Sequence, residues 1–501
     1  MPATLYAKII RAFKVRIGVI FFLTASLFTS FTFGLRLAAA DAERSYLISV
    51  MTDWKVKKVA DTKELGARFL RLDFNDSAWE NVEINDEEPP YTDRFILYRR
   101  WVDVPAAWKG KKTNIHFGGV DDDAVVYVNG RKVGQHEGWD EAFDIDITEV
   151  VQCGGRNLVA VLCDNSGGDR GGVYGSVFIA LVEELAKIKA AQEAKLRTEL
   201  KEIDYKIVYE THRENNWELY LVNADGSEPI NLTRTPDVNE LYPHVSPDGE
   251  KVCFVSDEGE GESKIRNVYY MNIDGTGRTK VAENAREPCW NSDGTAIAYL
   301  KGEFDKFSYL DYATKYLFIY ALKTRKHIQH PNEKLYHLYN ICWSPDGNWF
   351  VATVHGGMGY DHAILAIEAK GNGVFNLGIP GCRPDISPDG KKIAWGSSDW
   401  ALTIGDLDLT LPAPKVTNRR NVVTSLKPLK IYHIDWSPEG KFVTFSRGPE
   451  KESLGFAPEM VGIKAEDWNI CVADATGTSN WVAITNDGKS DKEPDWAPVK
   501  E

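Results

Sequence analysis

A turn phrase of the type Trp-Ser-Pro-Asp-Gly recurs five times in the chain, each time followed by alternating bulky residues. Proline presets φ at the first central position of a type I turn, Asp suits the second, and Gly adopts the left-handed φ that closes the turn. Each copy therefore predicts a tight hairpin, and a repeat of roughly 40 to 50 residues is typical of four-stranded propeller blades. The copies are VSPDGEKVCFVS (245–256), WNSDGTAIAYLK (290–301), WSPDGNWFVATV (343–354), ISPDGKKIAWGS (386–397) and WSPEGKFVTFSR (436–447).

A third strand with a polar turn follows each hairpin, and these strands indicate a sixth blade. Six of them begin near residues 217, 267, 316, 363, 401 and 468. The sixth blade is split, because EPDWAPVKE (493–501) has the pattern of a first strand and YKIVYET (205–211) that of the second strand. Pairing these two segments closes the ring and removes two exposed sheet edges. The sequence therefore predicts six blades over residues 205–501.

The propeller repeats also resemble a known family. The WSPDG phrase, the NADGS turn at 223–227 and INLT at 230–233 are similar to the repeats of TolB and its relatives. The resemblance implies a six-bladed β-propeller. It implies no single function, because such propellers occur in periplasmic scaffolds, in accessory domains of peptidases and in some lyases.

The first 40 residues have the pattern of an export signal. Residues 1–16 carry four basic side chains, residues 17–35 are largely apolar, and Ala38, Ala39 and Ala40 offer a small-residue cleavage site. Cleavage there predicts a periplasmic or secreted protein. An uncleaved membrane anchor is the alternative, because the apolar run approaches the length that spans a bilayer.

Charge and cysteine content limit the partners. The formal net charge is -14, and removal of residues 1–40, which hold five basic and no acidic residues, makes it more negative by five. Such a surface disfavours nucleic acid and anionic membranes as partners. The seven cysteines show no CxxC and no metal-type spacing, so we expect no metal site and no cofactor. Cys289 and Cys342 occupy the same repeat position in neighbouring blades, which favours burial over a disulfide.

Residues 41–180 predict a separate β-sandwich, and residues 181–204 a linker helix. Short strands alternate with turn signals, and Asn129-Gly130 between apolar alternations predicts a two-residue hairpin. The next segment places six aliphatic residues on one helical stripe. We interpret it as a spacer that packs on one domain, with a dimerising coiled coil as the alternative. The stripe consists of Leu181, Leu185, Ile188, Leu196, Leu200 and Ile203.

The sandwich motifs resemble, in chain order, the jelly-roll sugar-binding domain of glycoside hydrolase family 2. In that family the catalytic carboxylates lie on a separate (β/α)8 barrel, and here six blades occupy the remaining chain. No catalytic residue can therefore be assigned from the resemblance. The motifs are NDSAWENV (75–82), YRRWVDVPAAWKGK (98–111), HFGGVDDDAVVYVNGRKVGQHEGW (116–139), FDIDITEVV (143–151) and GRNLVAVLCDN (155–165).

Five residues of the sandwich form a candidate carbohydrate site. His136, Glu137, Trp139 and Asp140 lie in one loop, and Arg170 lies in a second loop that could join it. An aromatic face beside hydrogen-bonding groups is what a sugar ring requires. The alternative is that Trp139 packs against the propeller.

The propeller repeat places a second candidate site at the mouth of the channel, on the face opposite the turn phrases. A position that serves only packing should carry the same type of side chain in every blade, whereas the side chains at this position differ between blades. The alternative is a solvated rim. His355 and His362, with His433, could instead serve a metal-dependent lyase, although their spacing matches no recognised ligand pattern. Alignment on the turn gives Tyr242, Glu287, Asn340, Arg383, His433 and Glu493.

Together these features predict an exported, two-domain, all-β binding protein. The jelly roll would recognise carbohydrate, and the propeller mouth would bind a protein or a glycan. The alternative is a carbohydrate-active enzyme, either a hydrolase related to family 2 or a propeller polysaccharide lyase.

Overall fold

The computed structural model describes residues 46–60, 68–85, 89–138, 142–166, 170–450, 465–477 and 480–499. Strands dominate this part of the chain, and their pairing separates a two-sheet sandwich from six further sheets. The predicted all-β fold class is confirmed. The predicted export signal at 1–40 lies outside the described residues, and no described helix is long and apolar enough to cross a bilayer.

The N-terminal strands form two antiparallel sheets that face each other. The strands are β1 (Leu47–Ser49), β2 (Trp54–Lys58), β3 (Glu80–Val82), β4 (Phe95–Val104), β5 (Thr113–Asp121), β6 (Asp123–Val128), β7 (Arg131–His136), β8 (Phe143–Asp146), β9 (Gly155–Asp164) and β10 (Gly172–Leu181). One sheet has the order β3-β2-β4-β9-β6-β7 and the other β1-β10-β5-β8. Alternate residues of each strand point into the core between the sheets, as the period of two requires. Trp54, Val126 and Phe117 are fully buried there.

The predicted Asn129-Gly130 hairpin joins β6 to β7. Both residues have positive φ, 53° and 80°, which is the backbone that a type I′ turn needs. The side-chain amide nitrogen of Asn129 also donates a hydrogen bond to the carbonyl oxygen of Val150, 3.0 Å away. The turn is thereby fixed to the rest of the sandwich.

One helix, α1 (Val182–Glu202), follows the sandwich. Of the predicted aliphatic stripe within it, only Leu196 and Leu200 are buried, and they pack with propeller residues that include Trp496. Glu199 pairs with Lys441 at 2.9 Å. The helix therefore packs on the propeller through its C-terminal half.

The remaining strands form six four-stranded antiparallel sheets, each a blade. From the inner to the outer strand, the first five blades are β14 (Asn239–Val245), β15 (Lys251–Glu258), β16 (Ile265–Asn272) and β17 (Thr279–Ala282); β18 (Ala285–Trp290), β19 (Ala296–Gly302), β20 (Thr314–Ala321) and β21 (Lys326–Gln329); β22 (Leu338–Trp343), β23 (Trp349–Gly357), β24 (Tyr360–Glu368) and β25 (Val374–Asn376); β26 (Cys382–Ile386), β27 (Lys392–Ser398), β28 (Ala401–Asp408) and β29 (Lys415–Thr424); and β30 (Leu429–Trp436), β31 (Phe442–Pro449), β32 (Asn469–Asp474) and β33 (Trp481–Ala483).

The sixth blade is the split one, and its pairing confirms the predicted closure. Its strands are β34 (Ser490–Pro498), β11 (Tyr205–Arg213), β12 (Asn216–Asn223) and β13 (Ile230–Asn231). Ile207 faces Trp496 across the antiparallel pair of β11 and β34. Both side chains are buried, so the closing contact is also a packing contact.

The turn phrase forms the hairpin between the inner and second strands of a blade. In the copy at 246–249, the backbone N–H of Gly249 donates to the carbonyl oxygen of Ser246 at 2.8 Å, and Gly249 has a φ of 70°. A Cβ on Gly249 would collide with the carbonyl oxygen of Pro498 in the sixth blade. Glycine is therefore required there by conformation and by the close approach of a neighbouring blade. The seven cysteines are all free thiols.

Candidate functional site

Each inner strand is interrupted by a bulge at the same repeat position. The strand pairing shifts there in all six blades, and the bulged residue has a φ between 45° and 57°. Non-glycine residues rarely adopt this conformation, and it is often found where backbone strain serves a function. The six bulged residues, which we call the bulge ring, are Tyr242, Glu287, Asn340, Arg383, His433 and Glu493. They are the six residues that the repeat alignment placed in one ring.

The bulge ring lines a single cavity in the propeller channel, of about 90 Å³. One ordered water needs roughly 10 to 15 Å³ of such space, so the cavity has room for several waters or a small polar group. The alternative of a solvated rim is wrong for these residues, because Arg383 is only 7% exposed and His433 is 3% exposed. The bulge lies within the inner strand rather than at its end, so the ring lies inside the channel.

His433 and Glu493 form a close pair in this cavity. The Nε2 atom of His433 lies 3.1 Å from Oε1 of Glu493, and its Nδ1 atom lies 3.2 Å from the hydroxyl of Ser446. Burial lowers the pKa of His433 and raises the pKa of Glu493. Both shifts favour a neutral carboxylic acid beside a neutral imidazole, and neither His433 Nε2 nor Glu493 Oε1 makes a hydrogen bond among the described residues.

Arg383 is held in the channel by a carboxylate that the repeat alignment did not include. Asp311, which is 4% exposed, lies 3.8 Å from the Arg383 guanidinium and accepts a hydrogen bond from the hydroxyl of Tyr242. It lies in the loop at 303–313, between the second and third strands of its blade. The guanidinium of Arg286 binds the carbonyl oxygens of Ser308 and Leu310 in that loop. One blade thus contributes a loop that reaches into the bulge ring.

Two buried carboxyl groups, one of them in the bulge ring, accept hydrogen bonds from the bulged backbone. Glu210 accepts the backbone N–H of Tyr242 at 3.0 Å, and Glu287 accepts that of Asn340 at 2.7 Å. Burial raises the pKa of each to about 8. The other oxygen of Glu287, Oε1, has no hydrogen-bond partner among the described residues.

The repeat position two residues after the bulge ring has a structural role in three blades. Asp385 accepts the backbone N–H of Trp436, and Asp435 that of Trp496, each at 2.9 Å. Asp495 accepts the N–H of Val245 at 2.8 Å. Each Asp therefore links its blade to the next one around the ring.

The sandwich brings part of its predicted carbohydrate site together at one end. The pairing of β5 with β10 and of β6 with β9 places the loops around Asp121, His136 and Arg170 at the same edge. His136 stacks on Phe143 with ring centroids 4.2 Å apart, while the side chains of Glu137 and Arg170 are exposed. Trp139 and Asp140 lie outside the described residues.

The propeller lies close to this end of the sandwich. Burial lowers the pKa of His136, and the charge of Lys427 lowers it further. Lys427 belongs to the propeller loop between β29 and β30, on the face opposite the turn phrases. His136 therefore lies within reach of the charge of this propeller side chain.

The comparisons with known proteins concern mainly the sandwich. The family described as "Glycosyl hydrolases family 2, sugar binding domain" matches residues 28–168, which confirms the resemblance of the sandwich to that domain. The chain is 38% identical over 105 residues to a beta-galactosidase of Thermoanaerobacter pseudethanolicus, over 19% of this chain and 14% of the relative. It is 32% identical over 98 residues to a beta-glucuronidase of Bacteroides fragilis, over 17% of this chain and 14% of the relative. The chain thus spans about one-seventh of the length of these curated relatives.

Two solved structures are similar over parts of the fold. TolB of Acinetobacter baumannii matches 68% of this chain and 79% of its own, with a TM-score of 0.45 and 17% identity. A beta-glucuronidase of Bacteroides uniformis matches 57% of this chain and 32% of its own, with a TM-score of 0.25 and 17% identity. The assignment of six blades depends on the strand pairing itself.

Proposed function

We propose that the protein is an exported carbohydrate-binding protein, in which the sandwich recognises the glycan without cleaving it. The observation that carries this proposal is the match of residues 28–168 to a sugar-binding domain. The residues after α1 form six four-stranded propeller blades rather than a (β/α)8 barrel. The edge of the sandwich that carries His136, Glu137 and Arg170 is the surface we assign to the glycan.

The ligand class follows from the chemistry of this edge and from the named relatives. Arg170 can pair with a uronic acid carboxylate, and Glu137 can accept hydrogen bonds from sugar hydroxyls. The relatives are a beta-galactosidase and beta-glucuronidases. We therefore infer a β-linked galactoside or glucuronide as the bound glycan.

Glycan binding by the full chain tests the proposal. A glycan array that includes β-galactosides and β-glucuronides should give saturable binding. Trp139→Ala should weaken binding about tenfold, because a lost aromatic contact of about 1.4 kcal/mol corresponds to a factor of ten. Trp101→Ala is the matched control, because this half-buried tryptophan lies toward the opposite end of β4 and stacks on Arg156.

Three outcomes separate recognition from packing. Loss of glycan binding with unchanged thermal stability in Trp139→Ala, and with normal binding in Trp101→Ala, supports the carbohydrate site. Loss of stability without loss of binding assigns Trp139 to packing against the propeller. The absence of binding to every glycan on the array would refute carbohydrate recognition.

The channel favours a second candidate function, acid–base catalysis on a glycan or other polymer. The observation is the buried pair of His433 and Glu493, whose shifted pKa values keep an acid and a base uncharged 3.1 Å apart. Release of reducing ends from the array oligosaccharides by the wild type, abolished in His433→Gln, would favour this enzyme over the binding protein.

A further inference from the structure

A pair of histidines lies in a β-hairpin at the channel mouth, outside both candidate sites. His355, in β23, directly faces His362, in β24. Both residues are exposed. Their Nδ1 atoms are 3.4 Å apart, at the long end of the range for a hydrogen bond between the two rings.

The tautomer of His362 follows from its other nitrogen. Its Nε2 atom lies 3.0 Å from the carbonyl oxygen of Gly381, so Nε2 carries the hydrogen and donates it. The neutral ring then has its lone pair on Nδ1, toward His355. A histidine that donates its second N–H to a backbone carbonyl has the arrangement usual for a metal ligand.

The separation of the two Nδ1 atoms, long for a hydrogen bond, also fits two ligands of one shared metal ion. Hydrogen bonds with an N–H donor are usually 2.7 to 3.2 Å long. Two imidazole nitrogens bound to one ion at about 2.0 to 2.1 Å, with a tetrahedral angle between them, lie about 3.3 to 3.4 Å apart. The ring of Tyr312 lies 4.6 Å from that of His355 and limits where the His355 imidazole can lie.

We propose that His355 and His362 together bind one divalent transition-metal ion at the channel mouth. His337, the nearest further histidine, is already paired with Glu303 and with the carbonyl oxygen of Gly356. No cluster of three or more His, Cys, Asp or Glu residues in the described part of the chain could hold a metal. The ion would therefore have two protein ligands, and water or an external ligand would take the other positions. Imidazole ligands and the general affinity order favour Cu²⁺ over Ni²⁺ and Zn²⁺.

Titration of the full, tag-free chain with CuCl2 tests the proposal. Isothermal calorimetry should give one saturable site per chain, and the Cu²⁺ electron paramagnetic resonance spectrum should show hyperfine coupling to two equivalent nitrogens. His355→Ala and His362→Ala should each weaken binding at least tenfold. His327→Ala is the matched control, because this exposed histidine contacts Tyr299 and no second histidine.

Circular dichroism of each variant establishes that it is folded. Unchanged affinity in the double variant His355→Ala/His362→Ala would overturn the proposal, because the ion would then bind elsewhere on the chain. A spectrum without coupling to two nitrogens would overturn it as well. Equal losses in both single variants, with none in His327→Ala, would support the shared site.

Discussion

Replacement of Glu287 by Gln should change how the stability of the propeller depends on pH. The carboxyl of Glu287 is 5% exposed, and burial raises its pKa from 4.5 to about 8. Between these two values the unfolded chain has lost a proton that the folded chain keeps, so the unfolding free energy falls as pH rises. The amide oxygen of Gln can accept the N–H of Asn340 in place of the carboxyl oxygen of Glu287. The Gln side chain cannot ionise.

The magnitude follows from the shift. Each unit of pKa difference is worth about 1.36 kcal/mol, so the wild type should lose up to about 4 kcal/mol from this group between pH 5 and pH 8. Glu287→Gln should match the wild type within about 1 kcal/mol at pH 5, since both side chains are neutral there. At pH 8 the variant should be more stable than the wild type, by an amount that approaches about 4 kcal/mol.

Urea denaturation at pH 5, 6, 7 and 8 measures the effect. The exposed Glu439→Gln provides a control for the general loss of one carboxylate from an acidic protein. Parallel stability curves for the wild type and Glu287→Gln would refute the reasoning, because they would mean that the carboxyl is ionised in the folded state throughout this range.

Three further predictions concern the channel and the closure of the ring. Arg383→Ala should destabilise the fold by about 3 to 5 kcal/mol, since it leaves the buried carboxylate of Asp311 without its cation; a loss below about 0.5 kcal/mol in urea denaturation would restore the exposed-rim interpretation. Trp496→Ala should cost about 3 to 5 kcal/mol in the same assay, because it removes a buried aromatic ring between the closing strand and α1; a loss under 1 kcal/mol would contradict this packing. Deletion of residues 493–501 should lower the melting temperature by well over the few degrees expected for trimming a free tail, and a truncated protein that melts like the wild type would argue against closure through β34.

The repeat determined how much of this structure could be predicted. Each turn phrase specifies a local backbone through Pro and Gly, so blade number, closure through Trp496 and the bulge ring could all be derived from spacing. The burial of Arg383 could not be predicted, because it depends on Asp311. That residue lies in a loop that neither the repeat nor a turn motif predicts. The burial of Glu210 was indicated only weakly, by its position as a charged residue in an otherwise apolar segment of β11. The pairing of His355 with His362 depends on cross-strand register, which a spacing of seven residues does not reveal.

The closing pair of strands also determines how the propeller would respond to mechanical force. Tyr205, where the chain enters from α1, lies opposite Pro498, so both ends of the pair are at the same edge. Tension applied between residues 205 and 498 would break the hydrogen bonds of β11 and β34 one after another, as in unzipping, rather than load them all at once in shear. Leu196 and Leu200 are buried against the adjoining blades. These contacts would carry part of a force applied to the sandwich, so that less of it acts on the pair of β11 and β34. The C-terminal half of α1 would in this way share the load carried by the closing pair of strands.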